Sequence, residues 1–413
     1  MDINEFQYDI TIVGGGLVGA SLACALIGCG FRVAVVEAIP FESSEQPSFD
    51  ERTIALTFGS SRIFEGLGVW KRMQSQGVTA IERIHISDKG HFGSAVLDRA
   101  DANVAALGYV VPARVLGGTL LARLQQDNNI TYLCPASCEQ IEFNDQNARV
   151  ELRIQDAQSK ISCKLLVLAD GGRSSSAKQI GLYSKSTQYQ QVVLVTTVGA
   201  DRDHRFSAYE RFTQSGPLAL LPNGEKSFAV VWTLYPDQAR AYMELEDRAF
   251  IDTLQSTFGD RAGAFLKLGK RHLYPLSHSV MVGPTRHRLA VIGNAAHTLH
   301  PVAGQGFNLG LRDVAVLAKT IVDAHTGGMD IGDSEVLYDY EKLRAKDVSA
   351  VSAFTHGLIS VFANDFGPLA TARNLGLVGI NLIPGVKRRL LRFSMGLSAP
   401  TSQLGLGRPL MLP

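Results

Sequence analysis

The 413-residue sequence predicts an α/β protein with a second domain built on a β-sheet and a helical C-terminal region. Three observations carry that prediction. A glycine turn stands between a β-branched run and an apolar helix-like run near the N-terminus. Apolar residues alternate in QQVVLVTTVGA (190–200) and KSFAVVWTLY (226–235), which reads as half-buried strands. After Asp365 the chain turns leucine-rich and nearly devoid of acids.

A hydrophobic content of 46% with 19% charged residues is that of an ordinary globular chain, long enough for two or three domains and a sizeable core. The net charge of +1 gives no general reason to expect nucleic acid, and none is predicted as a partner. Five cysteines, Cys24, Cys29, Cys134, Cys138 and Cys163, are an odd number without C-x-x-C spacing. They argue against a disulfide framework and fit a reducing, cytoplasmic compartment. Cys24 and Cys29 are expected inside the first helix, on different faces, as packing residues.

Residues 10 to 31, ITIVGGGLVGASLACALIGCGF, carry no charge and imitate a membrane span or signal peptide. Three consecutive glycines and the lack of a preceding basic region split the run into a buried strand, a turn and a helix. The strand YDITIV precedes Gly14, Gly16 and Gly19 at G-x-G-x-x-G spacing, and a second strand, FRVAVVEA, ends at Glu37. In such a unit the first glycine allows the tight turn, the second lets backbone approach a pyrophosphate, and the third packs helix on strand. Glu37 is placed to accept hydrogen bonds from an adenosine ribose. These residues do not separate NAD from FAD. No second fingerprint is found, which argues against a separate nicotinamide domain.

Residues 161 to 181, ISCKLLVLADGGRSSSAKQIG, form another apolar strand, ending at Asp170 and Gly171. Further on, HRLAVIGNAAH leads into GNAAHTLHPVAGQGFNLGLRD (293–313). The chain here resembles the FAD-dependent aromatic hydroxylases of the para-hydroxybenzoate hydroxylase type. That family carries the early G-x-G-x-x-G, a central D-G and a late G-D-A-A-H-x-x-x-P-x-x-G-x-G-x-N. Asp170 and Gly171 match the second motif. Gly293, Ala295, Ala296, His297, Pro301, Gly304, Gly306 and Asn308 match the third. Asn294 stands where the wider family has an Asp that bonds hydroxyls of FAD; Asn keeps an acceptor and loses the charge. That variant, with DERTIAL (50–56), HISDKGHFG (85–93) and ERFTQSGPLALLP (210–222), resembles the ubiquinone-biosynthesis branch.

The resemblance implies a Rossmann-like FAD-binding domain, a β-sheet substrate domain and a helical C-terminal region. It implies hydroxylation of a polyprenylated (methoxy)phenol with dioxygen through a C4a-hydroperoxyflavin, with NADPH or NADH as reductant, directly or through a reductase. Backbone N–H groups around Gly304, Gln305 and Gly306 are expected to face the flavin. Arg52 and Arg114 are expected near the flavin and its phosphates, Arg114 with a surface position as its alternative. The flavin carries the chemistry, so no catalytic side chain is named. Glu210 and Arg211 are open between an ion pair and a catalytic role. His297 and His300 have no acidic or cysteine partner nearby and are read as structural, with no metal.

The FAD domain is expected to comprise residues 1–75, 104–182 and 285–360, the sheet domain 76–103 and 183–284, and the tail 361–413. Lys387, Arg388, Arg389 and Arg392 cluster in the tail, which packs as an ordinary helix or offers a surface to anionic lipid at the inner membrane and to other ubiquinone-biosynthesis proteins. Two rivals are weaker. A flavin-dependent halogenase lacks its W-x-W-x-I-P signature, and a non-catalytic prenyl carrier has no need of three intact FAD motifs.

Overall fold

The computed structural model describes residues 7–41, 52–155, 157–172, 174–299, 304–362, 367–398 and 402–411. Tyr8–Val13 lies at the centre of a sheet ordered Thr285–Arg286, Leu289–Val291, Ala157–Leu168, Tyr8–Val13, Val33–Val36, Ile130–Leu133. The pairings between Leu289–Val291 and Ile130–Leu133 are all parallel. Such strands are covered on both faces, which is why YDITIV and KLLVL read as continuous apolar runs instead of alternating. Ile10, Ile12, Val33, Val35, Leu165 and Val167 are all fully buried. Each such side chain contributes roughly 1.5–3 kcal/mol.

The helices Leu17–Ala25, Ala113–Leu124 and Gln305–Thr326 pack on one face of this sheet. An antiparallel extension, Ala136–Phe143 and Ala148–Ile154, continues from Ala157–Leu168. The uncharged run 10–31 is thus strand, turn and helix, and no described helix is long and apolar enough to cross a membrane. The first helix ends at Ala25, so Cys29 lies beyond it and not within it as the sequence suggested. Both thiols are buried in the same core, free of a disulfide.

A second, nine-stranded sheet is ordered His297–Thr298, His272–Met281, Ser184–Ala200, Ser227–Leu234, Gly216–Asn223, Ser207–Thr213, Arg83–Asp88, Ser94–Asp98, with Phe265–Leu268 paired to Ser184–Ala200. The helices Pro236–Glu244 and Asp247–Phe258 cover one face, burying Trp232, Phe250 and Leu254. The other face meets a small sheet of Thr53–Thr57, Gly108–Pro112 and Thr79–Ile81, where Ala208 and Leu221 touch Ile81 and Val110.

Four helices close the chain: Gln305–Thr326, Ser334–Phe362, Gly367–Leu382 and Pro384–Ser394. The stretch HISDKGHFG anchors the third of them. Arg373 bonds Asp88 through Nε at 2.9 Å and Nη2 at 2.5 Å, and the Asn374 amide oxygen accepts from the Gly93 N–H at 2.8 Å. A Cβ at Gly93 would stand 2.3 Å from that oxygen, which accounts for the glycine. In the last helix Lys387 pairs with Asp101 at 2.7 Å, so it does not join the basic cluster expected there; Arg388, Arg389 and Arg392 are exposed.

Candidate active site

The glycine turn follows from its neighbours. Gly14 has φ +104°, and a Cβ there would stand 2.5 Å from the Ala169 carbonyl oxygen, at the end of the adjacent strand. A Cβ at Gly19 would lie 1.9 Å from the Gly14 oxygen. Gly16 caps the helix Leu17–Ala25 in extended conformation, and the orphan N–H groups of its first turn form an anion-binding end. Glu37, buried at the end of Val33–Val36, accepts from the Gly15 N–H at 2.7 Å and the Ile39 N–H at 2.9 Å. Each oxygen is thereby fixed, with lone pairs left for a hydroxyl donor.

Asp170 follows the strand Ala157–Leu168. Its Oδ2 accepts from the Ser174 hydroxyl at 2.9 Å, and its Oδ1 is buried without a partner. A buried carboxylate oxygen left unpaired is costly, and a hydroxyl-bearing ligand would satisfy it. Gly171 has φ +84° beside open space. A Cβ on Gly172 would meet the Thr298 hydroxyl at 2.8 Å and the Asn294 carbonyl oxygen at 3.5 Å, so the second and third motifs lie side by side. Gly293 in turn abuts Val18 of the first helix, where a Cβ would stand at 3.0 Å. The three glycine-bearing segments therefore converge at one end of the parallel sheet. Asn294 is exposed there.

Gly304 caps Gln305–Thr326 with φ +60°, against Ala55. Gln305 is buried, and Gly306 borders open space. Asn308 is buried. It accepts from the Thr57 N–H at 2.8 Å and donates to the oxygens of Ala55 at 2.8 Å and Gly304 at 2.6 Å. Both amide protons are used within the chain, so the Asn308 side chain shapes the loop at Gly304. Arg52 lies over the Tyr274 ring at 5.1 Å, bridging to the second sheet, and Arg114 is exposed at the start of Ala113–Leu124. Pro301 and His300 lie outside the described residues.

Beneath the third motif sits a buried ionic chain that sequence reasoning missed, and it gives His297 an acidic partner, Asp313, where the sequence was read as offering none. Asp313 accepts from the Gly293 N–H at 2.9 Å, contacts His297 Nε2 at 2.6 Å and accepts from Arg344 Nε at 2.7 Å. Arg344 also pairs with Asp347, which takes Arg312 Nη1 at 2.7 Å. Burial pushes the Asp313 carboxyl up, but His297 and Arg344 outweigh it and hold the group down at about 2. His297 is a positioning residue for the turn at Gly293.

Register defines the face of the second sheet opposite Trp232. A row crosses it from His272 through Val195, Val231, Ala219 and Glu210 to Ile86. Val195, Val231, Ala219 and Glu210 are each partly exposed, while the rows beside them are pinned. Ala208 and Leu221 lie on the small sheet, Phe212 stacks on Phe362 at 3.6 Å, and Tyr274 lies under Arg52. Apart from Glu210, the row between Val195 and Glu210 is small and apolar. The small sheet reaches the third motif through Ala55, which pairs with Val110 and abuts Gly304. Glu210 and Arg211 point to opposite faces, so they are not an ion pair with each other.

The family described as FAD binding domain matches residues 7–355. The chain is 35% identical over 389 residues to the ubiquinone hydroxylase UbiL of Rhodospirillum rubrum, covering 94% of this chain and 89% of that one. It is 31% identical over 392 residues to the 3-demethoxyubiquinol 3-hydroxylase of Escherichia coli, covering 94% and 98%. Among solved structures, the p-nitrophenol 4-monooxygenase PnpA of Pseudomonas putida superposes with a TM-score of 0.79 over 96% of this chain and 99% of that one. At 17% identity that likeness establishes the fold.

Proposed function

The chain belongs to the FAD binding domain family and is an FAD-dependent aromatic monooxygenase; from there we propose that its substrate is a polyprenylated (methoxy)phenol of ubiquinone biosynthesis. The reaction class is that of a 2-polyprenyl-6-methoxyphenol hydroxylase. The observation that carries the reading is the convergence of the three glycine-bearing segments at one end of the parallel sheet, as a long dinucleotide requires.

In this proposal Gly14, Gly16 and Gly19 admit the pyrophosphate and Glu37 receives the ribose. Asp170, whose Oδ1 is buried without a partner, takes a hydroxyl of the linking chain together with Gly171. Gly293 and Asn294 border it, and the backbone at Gly304, Gln305 and Gly306 faces the ring. Arg52 and Arg114 supply permanent positive charge to phosphates and ring. When bound, FAD supplies the activation of dioxygen. The chain's own groups orient the phenol and exclude water.

The reductant in this reading is NADPH or NADH, acting directly or through a reductase. The domain division at residues 76–103, 183–284 and 361–413 belongs to the same proposal. So does the tail as a surface for membrane lipid or partner enzymes, where exposed Leu382, Ile383 and Val386 adjoin Arg388, Arg389 and Arg392.

Labelled dioxygen tests the reading. Holoenzyme supplied with a short-chain prenyl phenol and reductant is expected to place one labelled atom in the ring. Product whose new hydroxyl carries oxygen from water would remove it.

A further inference from the structure

Between the helices Ser334–Phe362 and Pro384–Ser394 lies a groove of about 1050 Å³. Ligand sites usually offer roughly 300–1,000 Å³, so a whole molecule fits. On the longer helix Leu343, Ala350 and Phe354 recur at helical spacing along it, and on the shorter one Val386, Leu390 and Phe393 do the same. The two stripes meet where the Phe354 and Phe393 rings stand 4.3 Å apart. Away from that point Leu343 and Val386 are each 47% exposed. The rim carries one dominant sign of charge. Lys342, Lys346 and Arg389 are exposed along it and have no ion pair among the described residues. Of its two carboxylates, Asp347 is buried and held by Arg312 and Arg344, which leaves Asp339. Residues 366–413 hold six cations and no Asp or Glu. Leu375, Leu382 and Ile383, which precede Val386 in the chain, are exposed as well.

We propose that this groove takes an acyl chain of an anionic membrane phospholipid, with the lipid phosphate held among Lys342, Lys346 and Arg389. The inference deepens the reading of the tail as a lipid surface and rests on it; it adds a slot for one lipid and two lysines from outside the tail. An acyl chain needs a long apolar slot, and Leu343, Phe354, Val386, Leu390 and Phe393 line one. A phosphate needs cationic donors that no carboxylate has already taken, and the rim supplies them. Apolar side chains beside a basic cluster are the pattern of a segment lying at a membrane interface. The exposed Leu382 and Ile383 stand at a turn between two helices, and a bilayer accepts them there without a matching pocket. A protein partner would have to supply both that pocket and an acidic patch.

Flotation of holoenzyme with vesicles of phosphatidylcholine, alone or mixed with phosphatidylglycerol, tests the charge. Binding is expected to the mixed vesicles and should weaken as salt rises. Replacing Lys342, Lys346 and Arg389 together by Gln should weaken it about tenfold or more, since each cation near an anionic surface contributes roughly fivefold. Flavin content should stay unchanged. The slot is read with Val386→Trp or, if that variant misfolds, Leu343→Trp. Trp70 and Trp232 are 4% and 2% exposed, so the added indole reports the groove. Monomeric lysophosphatidylglycerol with a brominated chain is expected to quench it saturably, at one lipid per protein, and the phosphatidylcholine analogue more weakly. Equal binding to both vesicles, or a triple Gln variant within about twofold of the parent, would overturn the proposal. Vesicle binding without saturable quenching overturns it too, yet leaves the tail as a lipid surface. Holoenzyme that floats with neither vesicle, including one held instead by a partner enzyme, refutes that reading and this one with it.

Discussion

Replacing Asp313 by Asn removes one charge from the buried chain under the third motif and leaves the shape almost unchanged. Asp313 is 1% exposed and makes three contacts, to the Gly293 N–H, His297 and Arg344. Removing one member of a buried pair typically destabilises by roughly 3–5 kcal/mol, because the partner charge is left buried. Arg344 keeps Asp347 and the Leu309 carbonyl oxygen, so the lower end, about 3 kcal/mol, is expected here. The proton-linked share follows from the carboxyl's descent from 3.8 to about 2, roughly 2 kcal/mol. A depressed carboxyl stabilises fully above its unfolded value. Wild-type protein should therefore hold this share above about pH 4 and lose it as pH falls towards 2. Urea unfolding of holoprotein at fixed excess FAD, followed by far-UV circular dichroism from pH 7 downward, measures both quantities. An Asn variant within about 1 kcal/mol of the parent at pH 7, or with the same decline between about pH 4 and 2, would refute the reasoning.

Gly14→Ala should fold with much reduced flavin content, because its Cβ would stand 2.5 Å from the Ala169 oxygen, at a φ that side chains rarely adopt; full occupancy by absorbance would count against the assignment. Arg373→Met should leave Asp88 short of its main partner and free the helix Gly367–Leu382. Limited proteolysis should then cut within residues 367–398 at least about tenfold faster, as a local opening made easier by 1.4 kcal/mol or more requires. Unchanged cleavage there would show that the apolar contacts of Leu377 and Phe362 hold the helix unaided.

Much of the parallel sheet was legible because burial on both faces leaves uninterrupted apolar runs, and because its turns demand glycine where a Cβ would strike backbone. The same geometry made the three motifs readable as parts of one site. The ionic chain was not legible in that way, since Asp313 and Arg344 are 31 residues apart and meet only once two helices pack. A signal did exist. On Ser334–Phe362 the buried positions Leu337, Tyr340, Arg344, Asp347 and Val351 follow a helical period, so two charges occupy core positions and call for partners. HISDKGHFG was readable as a motif but not for its task, because the partners of Asp88 and Gly93 come 285 and 281 residues later. Cys29 was misplaced because the helix stops at Ala25, before the glycines at 28 and 30.

The order of strands in the parallel sheet also bears on how the chain is made. Leu289–Val291, which closes the sheet beside Ala157–Leu168, is synthesised long after Tyr8–Val13, and His297–Thr298 then joins the far edge of the other sheet. On the ribosome the glycine turn emerges early but has no finished cradle until about residue 313 has followed it out, when Asp313 locks Gly293. Translation runs at roughly 5–20 residues per second, so the nascent N-terminal half waits many seconds with its inner strands uncovered. Until then the inner apolar strands lack the neighbours that cover them in the finished fold.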